Sequence, residues 1–156
     1  ILAMEDGNVI APNESIDIII VDYVLEHIEN PTKFFKEVDR LLKPGGWFCA
    51  RTPHKFSLIA LFARLFKNNH HAFVLKYVQP DRKEKDIFPT YYRLNKLKKL
   101  NQIFRNYKDK SFIFRCDPAY YFGKKSIYYL QKILGNFLID PLIGNLFIFK
   151  QKVPFR

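Results

Sequence analysis

Three side chains that could bind a charged ligand or move a proton follow one apolar run of the sequence. Asp22, Tyr23 and His27 come directly after the run IDIIIV. An imidazole titrates near neutral pH and can act as a general base, and a carboxylate can hold a cationic group. We therefore predict His27 and Asp22 as catalytic residues. The alternatives are a packed histidine at the approach to a helix and a carboxylate that binds nearby backbone N–H groups.

A second set of side chains lies farther along the chain and could contact a substrate. His54 follows the apolar run WFCART, His70 and His71 stand in the polar segment KNNHH, and Tyr91 and Tyr92 adjoin each other in FPTYY. Tandem histidines are usually exposed, and paired tyrosines often pack in a core, so these simpler interpretations compete with substrate contact. We predict the five as substrate-side residues.

The sequence predicts neither a metal site nor a disulfide. Glu26 and His27 are adjacent, but no third ligand has the spacing of a metal site. Cys49 and Cys116 lie far apart and without CxxC spacing, and each has apolar neighbours, which is typical of buried thiols. Such cysteine usage suits a reducing cytoplasm, where we expect the protein to reside.

The elements that would position the first set of side chains form a strand–helix–strand unit. The β-branched run IDIIIVDYVL lacks alternation, which is typical of a strand buried on both faces of a parallel sheet. Asn30 and Pro31 predict a helix start, and the sequence Pro-Gly-Gly at 44–46 predicts its end. WFCART predicts the next strand. Because ligands bind beyond the carboxyl ends of such parallel strands, we expect Asp22, His27 and His54 at one edge of the sheet.

The remainder of the chain predicts further helices, strands and long loops within a single domain, 1–156. The interval 55–107 is rich in loops and amphipathic segments, which favours a cap on the substrate side. Helical periodicity covers 56–66, 93–107 and 125–138, and strand character covers 111–116 and 142–152.

Charge is distributed unevenly along the 156 residues, whose formal net charge is +11. The residues 1–53 carry 9 acids and 5 bases, and the residues 54–156 carry 6 acids and 21 bases. A basic surface attracts nucleic acid, anionic lipid or phosphorylated small molecules, and it is otherwise a solvated lysine-rich face. No apolar stretch reaches the roughly 20 residues of a membrane span. Amphipathic segments at 56–66 and 124–137 leave peripheral membrane contact open.

A nucleic-acid partner is not predicted. Basic and aromatic residues do interleave in RLNKLKKLNQIFRNYK, which could suit nucleic acid. No recognisable nucleic-acid module frames this segment, however.

One ordered set of motifs resembles a known family. The stretch APNESIDIIIVDYVLEHIENPTKFFKEVDRLLKPGGWFCARTPHK, residues 11–55, resembles class I S-adenosylmethionine-dependent methyltransferases of the small-molecule type. These have a strand ending in an LEH turn, a helix, LKPGG and a further strand. The resemblance implies an α/β fold with a doubly wound, Rossmann-like sheet of seven strands, the last antiparallel. The strands here would be the fourth to the seventh.

The resemblance also implies a cofactor, S-adenosylmethionine, and methyl transfer to a small-molecule acceptor. The basic cap favours an anionic or lipid-linked acceptor. By the family pattern, Glu5 or Asp6, with Gly7 beside them, would lie near the adenine. Asp22 and Tyr23 would face the methionine part of the cofactor and the substrate.

The family's glycine-rich cofactor loop has no counterpart among the six glycines, which form no GxGxG. Such a loop lets the backbone approach the cofactor because glycine has no Cβ. We expect this loop upstream of Ile1, in a longer protein of which the chain is the C-terminal part. The alternative is a catalytically incomplete binding module that docks on an anionic membrane surface or a protein partner, of unknown oligomeric state.

Overall fold

The computed structural model describes residues 4–5, 8–57, 89–115, 125–135 and 144–154. Two short strands, β1 (Met4–Glu5) and β2 (Asn8–Val9), form an antiparallel hairpin. Five strands form the main sheet: β3 (Ile16–Asp22), β4 (Leu42–Pro53), β5 (Tyr107–Asp109), β6 (Phe112–Arg115) and β7 (Gly144–Lys152). The helices are α1 (Pro31–Leu41), α2 (Leu97–Ile103) and α3 (Lys125–Gly135), with a 3₁₀ turn at Leu25–His27.

The main sheet has the strand order β3-β4-β7-β5, with β6 also paired to β7. β3 and β4 are parallel, whereas β5 and β7 are antiparallel. β7 also runs opposite to β4: the His54 N–H donates to the Gly144 carbonyl at one end, and the Gln151 side chain donates to the Gly45 carbonyl at the other. The predicted α/β class, the parallel unit and the antiparallel last strand are therefore confirmed. The prediction that the β3 run is buried on both faces is wrong for the described part of the chain, because β3 stands at the end of the strand order and its Ile18 and Ile20 are exposed.

Helix α1 begins where its residues predict it. The Asn30 side-chain oxygen accepts a hydrogen bond from the Lys33 N–H at 3.0 Å, and Pro31 occupies the first helical position. The helix ends at Leu41, and β4 starts at once, five residues earlier than WFCART predicts. Pro-Gly-Gly is thus part of the strand and not a turn after the helix.

The two glycines explain why the strand can start so early. Gly45 has a φ of +84°, a left-handed conformation that glycine adopts without strain. A Cβ on Gly46 would lie 3.0 Å from the Asp17 carbonyl oxygen of β3 and 2.9 Å from that of Lys43. Glycine at this position therefore lets β4 approach β3 closely.

An aromatic cluster joins one face of the sheet to α1 and α2. Phe48 of β4 stacks on Phe104 at 4.9 Å between ring centroids, and Phe35 of α1 meets Phe104 edge-on at 5.0 Å. Tyr107 packs edge-on against Phe104 at 5.1 Å. Edge-on and stacked rings of this kind add to the free energy gained by burying them. This cluster fixes both helices on the sheet.

Two predicted boundaries differ from the structure because the backbone leaves the regular conformation. β3 ends at Asp22, since Tyr23 has a φ of +51° and leaves the strand conformation. α2 covers 97–103 and not 93–107, since Lys96 is extended and Phe104 leaves the helical conformation. Most of the helix predicted at 56–66 lies outside the described residues.

The chain divides into two compact units. The first comprises Ile1–Thr52, Tyr91–Phe112 and Leu146–Arg156, and the second Pro53–Thr90 and Ile113–Asn145. A single domain, 1–156, and a cap, 55–107, remain predictions. None of the helices in the described part of the chain is long and apolar enough to cross a bilayer.

Candidate functional site at the carboxyl edge of the sheet

The segments that follow β3 and β4 meet at one edge of the sheet. We call this the carboxyl edge, and the opposite edge, where β3 and β4 begin and α1 ends, the amino edge. In the parallel register Asp22 pairs with Arg51, and the Tyr23 N–H donates to the Arg51 carbonyl at 2.9 Å. Ligands of parallel α/β sheets bind at this edge. The candidate site is therefore built from Asp22 onward and from Arg51 onward.

Asp22 and Arg51 form a two-pronged ion pair. The guanidinium donates from Nε to Oδ1 and from an Nη to Oδ2, both at 2.8 Å. The same guanidinium lies 4.5 Å from the centroid of the Tyr23 ring and 5.9 Å from that of Phe147. Two parallel hydrogen bonds and flanking rings hold the Arg51 side chain in one orientation. The pair remains partly exposed and presents a carboxylate and a guanidinium side by side.

Behind this pair lies a buried polar chain that sequence reasoning missed. The Thr52 hydroxyl donates to the Glu26 carboxylate at 2.7 Å, and the Asn95 amide donates to the Thr52 oxygen at 2.6 Å. Glu26 is 6% exposed, and Thr52 and Asn95 are fully buried. Burial raises the pKa of Glu26, because a charged carboxylate loses its hydration there, although the bonds from its own backbone N–H and from Thr52 oppose the rise.

Glu26 also fixes a third segment through its backbone. Its carbonyl accepts hydrogen bonds from the Tyr91 N–H at 2.7 Å and from the Tyr92 N–H at 3.1 Å. The residue therefore joins the turn after β3 to the end of β4 and to the segment that precedes α2. These are three stretches distant in sequence, and one side chain with its carbonyl holds them together.

Backbone strain is present at the same edge. Tyr23 and Tyr92 both have a φ of +51°. The left-handed conformation costs a residue with a Cβ about 1–2 kcal/mol relative to the right-handed one. Strained non-glycine residues persist where the surrounding structure holds them, and they cluster at functional sites. The hydrogen bonds from the Tyr23 and Tyr92 N–H groups supply part of that hold.

The structure brings only some of the predicted site residues together. Asp22 and Tyr23 adjoin Arg51, and His27 is half-buried in the 3₁₀ turn, where its N–H donates to the Val24 carbonyl. Tyr91 is half-buried and Tyr92 is buried, both bound to the Glu26 carbonyl.

Of the other predicted residues, His54 and Glu5 are among the described residues and four are not. His54 is buried in the second unit, where its Nδ1 accepts from the Phe56 N–H at 3.2 Å. Glu5 ends β1 in register with Asn8. Asp6, Gly7, His70 and His71 lie outside the described residues. The roles given to all these residues remain predictions.

Two of the missed residues had a signal in the sequence. Aligning the strands IDIIIVD and WFCART as parallel neighbours would place Arg51 opposite Asp22. Glu26 stands between apolar Leu25 and His27 in a turn, which indicates a side chain near the core. Asn95 has no local signal, because its partner Thr52 is 43 residues away.

Neither a metal-binding cluster nor an activated thiol occurs among the described residues. No three His, Cys, Asp or Glu side chains in that part of the chain are arranged to hold a metal ion. Cys49 is half-buried, and burial raises its pKa, which keeps the thiol protonated at neutral pH.

Comparisons with known proteins agree with the fold. Residues 4–50, from β1 to the middle of β4, match the family model described as a methyltransferase domain. No curated protein sequence matches the chain significantly.

Three solved structures resemble the chain at low identity. A methyltransferase of Thermotoga maritima, described as a possible histamine N-methyltransferase, shares 15% identity at a TM-score of 0.54 and covers 93% of this chain. Phosphoethanolamine N-methyltransferase 2 of Haemonchus contortus, bound to phosphomonomethylethanolamine and S-adenosylhomocysteine, shares 15% identity at a TM-score of 0.50 and covers 91% of this chain. The [4+2]-cyclase SpnF shares 14% identity at a TM-score of 0.51 and covers 94% of this chain.

The chain has the Rossmann-like fold of the class I S-adenosylmethionine-dependent methyltransferases, and the resemblance noted in the sequence is confirmed. It spans 60%, 35% and 53% of the lengths of the three neighbours, respectively. Since one neighbour is described as a cyclase, this fold is not restricted to methyl transfer.

Proposed function

We propose that the chain takes part in the transfer of a methyl group from S-adenosylmethionine to a small-molecule acceptor. The observation that carries the proposal is the Asp22–Arg51 pair at the carboxyl edge. β3 lies within the segment that matches the methyltransferase domain, and this segment ends at Ala50 of β4, directly before Arg51. The general use of S-adenosylmethionine within this family supports the cofactor.

The side chains at the carboxyl edge fit the methionine end of that cofactor. This end carries an ammonium, a carboxylate and a sulfonium, and when bound it supplies an electrophilic methyl group. Asp22 can accept from an ammonium, and Arg51 can donate to a carboxylate. The electron-rich face of the Tyr23 ring attracts a cation. The described residues thus offer a partner for each of the three charged groups.

Positioning accounts for most of the catalysis that such a site requires. A methyl transfer from sulfur proceeds in line, so the acceptor atom must be held opposite the leaving sulfur. Thr52 and Asn95 hold the Glu26 side chain, and the Glu26 carbonyl in turn binds the Tyr91 and Tyr92 N–H groups, so this segment is held beside the candidate site. His27 acts as a general base where the acceptor has a proton to lose, and it has no chemical role where the acceptor is already a free nucleophile.

We propose an anionic or lipid-linked acceptor, because bases outnumber acids by 21 to 6 over the residues 54–156. Such a protein would work in the cytoplasm or at the inner surface of a membrane. The alternative of a binding module is supported by a different region, the exposed cations around α2.

The test begins with cofactor binding to the chain, measured by titration calorimetry with S-adenosylhomocysteine. We expect Asp22→Asn to weaken binding about tenfold, because one charge-assisted hydrogen bond is lost. Asp17→Asn is the matched control, since Asp17 pairs with Lys43 at the amino edge. Equal binding by both variants would contradict the proposed site.

The acceptor class is tested separately by release of S-adenosylhomocysteine in the presence of phosphorylated and neutral small molecules. Turnover with the phosphorylated set supports the proposal. Turnover only with neutral acceptors would support methyl transfer and exclude the anionic acceptor.

A further inference from the structure

Four exposed cations lie on and around α2 and β5. Lys98 and Lys99 lie in the first turn of α2, Arg105 follows the helix, and Lys108 belongs to β5. All four are exposed, and the structure shows no ion pair to any of them within the part of the chain that it describes. We call these four residues the basic surface. Unpaired exposed charges of one sign attract a polyanion over a range of roughly 10 Å.

A cleft opens beside this surface and adds apolar area to it. Its volume is about 570 Å³. Arg105 and Lys108 line the cleft together with Ile103, Val153 and Pro154, the last two of which are exposed. The one acid in this lining, Asp39, is paired with Lys152. Lys99 precedes Ile103 by four residues, so the two lie on the same face of α2. Cations thus stand beside exposed apolar side chains.

The two aromatic rings that flank Arg105 and Lys108 in the sequence are not available for stacking with bases. Phe104 and Tyr107 are buried and pack edge-on against each other. The Tyr107 hydroxyl donates to Asp39 at 2.7 Å, and Phe35 packs on both rings. Single-stranded nucleic acid is usually held by exposed rings beside cations. Charge beside shallow apolar area, with Phe104 and Tyr107 buried, favours an anionic lipid surface instead.

We propose that the basic surface binds the anionic face of a lipid membrane. Arg105 and Lys108 contact lipid phosphates at the mouth of the cleft, and Val153 and Pro154 lie against the interface. Lys98 and Lys99 add longer-range attraction. This inference does not depend on methyl transfer, and it assigns membrane contact to α2 and β5 and not to the amphipathic segments noted in the sequence.

The test is sedimentation of the whole chain with lipid vesicles. We expect binding to vesicles of equimolar phosphatidylcholine and phosphatidylserine, little binding to phosphatidylcholine alone, and release by salt. Each cation near an anionic membrane contributes a factor of about five, so the triple variant K99Q/R105Q/K108Q should bind about a hundredfold more weakly. The charge-conserving variant K99R/R105K/K108R should bind like the wild type.

A matched control removes the same charge elsewhere. Lys36 on α1 and Lys125 and Lys132 on α3 are exposed, so K36Q/K125Q/K132Q changes the net charge equally. Equal weakening by this control would overturn the proposal and assign binding to net charge or to α3.

Other ligands distinguish the source of the anion. Soluble glycerophosphoserine should not displace the chain from vesicles. Failure to bind the mixed vesicles, or tighter binding to a single-stranded oligonucleotide at the same salt concentration, would also overturn the proposal.

Discussion

The two edges of the sheet bury polar groups in different ways. At the amino edge, Lys150 and Lys152 of β7 are 1% and 5% exposed, and each meets carboxylates: Lys150 pairs with Asp109, and Lys152 with Glu14 and Asp39. At the carboxyl edge, the Glu26 carboxyl is bound by the neutral hydroxyl of Thr52. A buried charge with an opposite partner is stabilised, whereas a buried carboxyl bound by a neutral donor has a raised pKa.

The two edges also differ in backbone strain. Among the residues that the structure describes, the amino edge has one left-handed residue with a side chain, Glu14, which is exposed in a turn. The carboxyl edge has two, Tyr23 and Tyr92, and Tyr92 is buried. Satisfied charges are typical of structural regions, and backbone strain beside a buried acid is more frequent at functional sites. The comparison predicts how variants at each edge should behave.

The largest effect is expected at the amino edge from Lys152→Met. The ammonium donates to the Asp39 carbonyl at 2.7 Å and to the Leu42 carbonyl at 3.0 Å, so it joins β7 to the end of α1. Methionine fills the space but leaves the carbonyls without that donor. We expect the free energy of unfolding to fall by about 3 kcal/mol in urea denaturation.

Lys108→Met is the control for this variant, because Lys108 is exposed on the neighbouring strand β5. It should change the free energy of unfolding by less than about 0.5 kcal/mol. Similar losses for the two variants would show that Lys152 does not join β7 to α1.

The next effect is expected at the carboxyl edge from Thr52→Val. Valine matches the shape of threonine but removes the hydroxyl that joins Glu26 to Asn95, so two buried polar groups lose a partner. The free energy of unfolding should fall by about 2 kcal/mol. Thr52→Ser keeps the hydroxyl and should cost about 1 kcal/mol for the lost methyl group. A valine variant as stable as the serine variant would contradict the hydrogen-bonded chain.

Two glutamates should give stability a pH dependence of opposite sign at the two edges. At the amino edge, hydrogen bonds from Arg40 lower the pKa of Glu37 from 4.5 to about 2, and the Val9 N–H adds to this. A lowered pKa stabilises the fold above pH 4.5, and that stability is lost as the pH falls through about 2. Glu37→Gln should therefore be less stable than the wild type at neutral pH, by about 1 kcal/mol after solvent screening, and equally stable near pH 2.

At the carboxyl edge, burial raises the pKa of Glu26, so the sign reverses. The wild type should lose stability as the pH rises from 4.5 through the raised pKa, because the folded state then gives up a proton that it holds more tightly than the unfolded state does. Glu26→Gln keeps an acceptor for Thr52 and has no such loss. Urea denaturation across this range should show the variant gaining on the wild type with rising pH. Parallel pH profiles would refute the raised pKa.

Local patterns predict one part of the fold well. Asn30, Pro31 and the apolar run of β3 act through neighbours in sequence, so the strand–helix–strand unit and its carboxyl edge follow from the residues alone. The burial of Lys150 and Lys152 cannot be predicted from local sequence patterns. A lysine in a strand predicts an exposed face, and only the arrival of Asp39 and Asp109 from distant elements reverses that expectation.

Some residues of the candidate site could likewise be predicted from the sequence, and others could not. Asp22 and Tyr23 were predicted, because they end a recognisable strand. Glu26 was considered only as part of a metal site, since its burial depends on Thr52 and Asn95, which are brought in by folding. Left-handed backbone at Tyr23 and Tyr92 has no sequence signal, because tyrosine does not favour it.

Variants of the exposed ion pair at each edge should have the smallest effect on stability. They should also show the clearest difference between the edges in the binding of S-adenosylhomocysteine. Arg51 and Lys43 each form a partly exposed ion pair, with Asp22 at the carboxyl edge and with Asp17 at the amino edge. Exposed pairs contribute less than about 1 kcal/mol, so Arg51→Met and Lys43→Met should lower the melting temperature by similarly small amounts. S-adenosylhomocysteine should raise the melting temperature of the wild type and of Lys43→Met, because a ligand that binds only the folded state stabilises it. Arg51→Met should lose that increase, and if it keeps it, the charged pair at the carboxyl edge is a structural contact like the one at the amino edge.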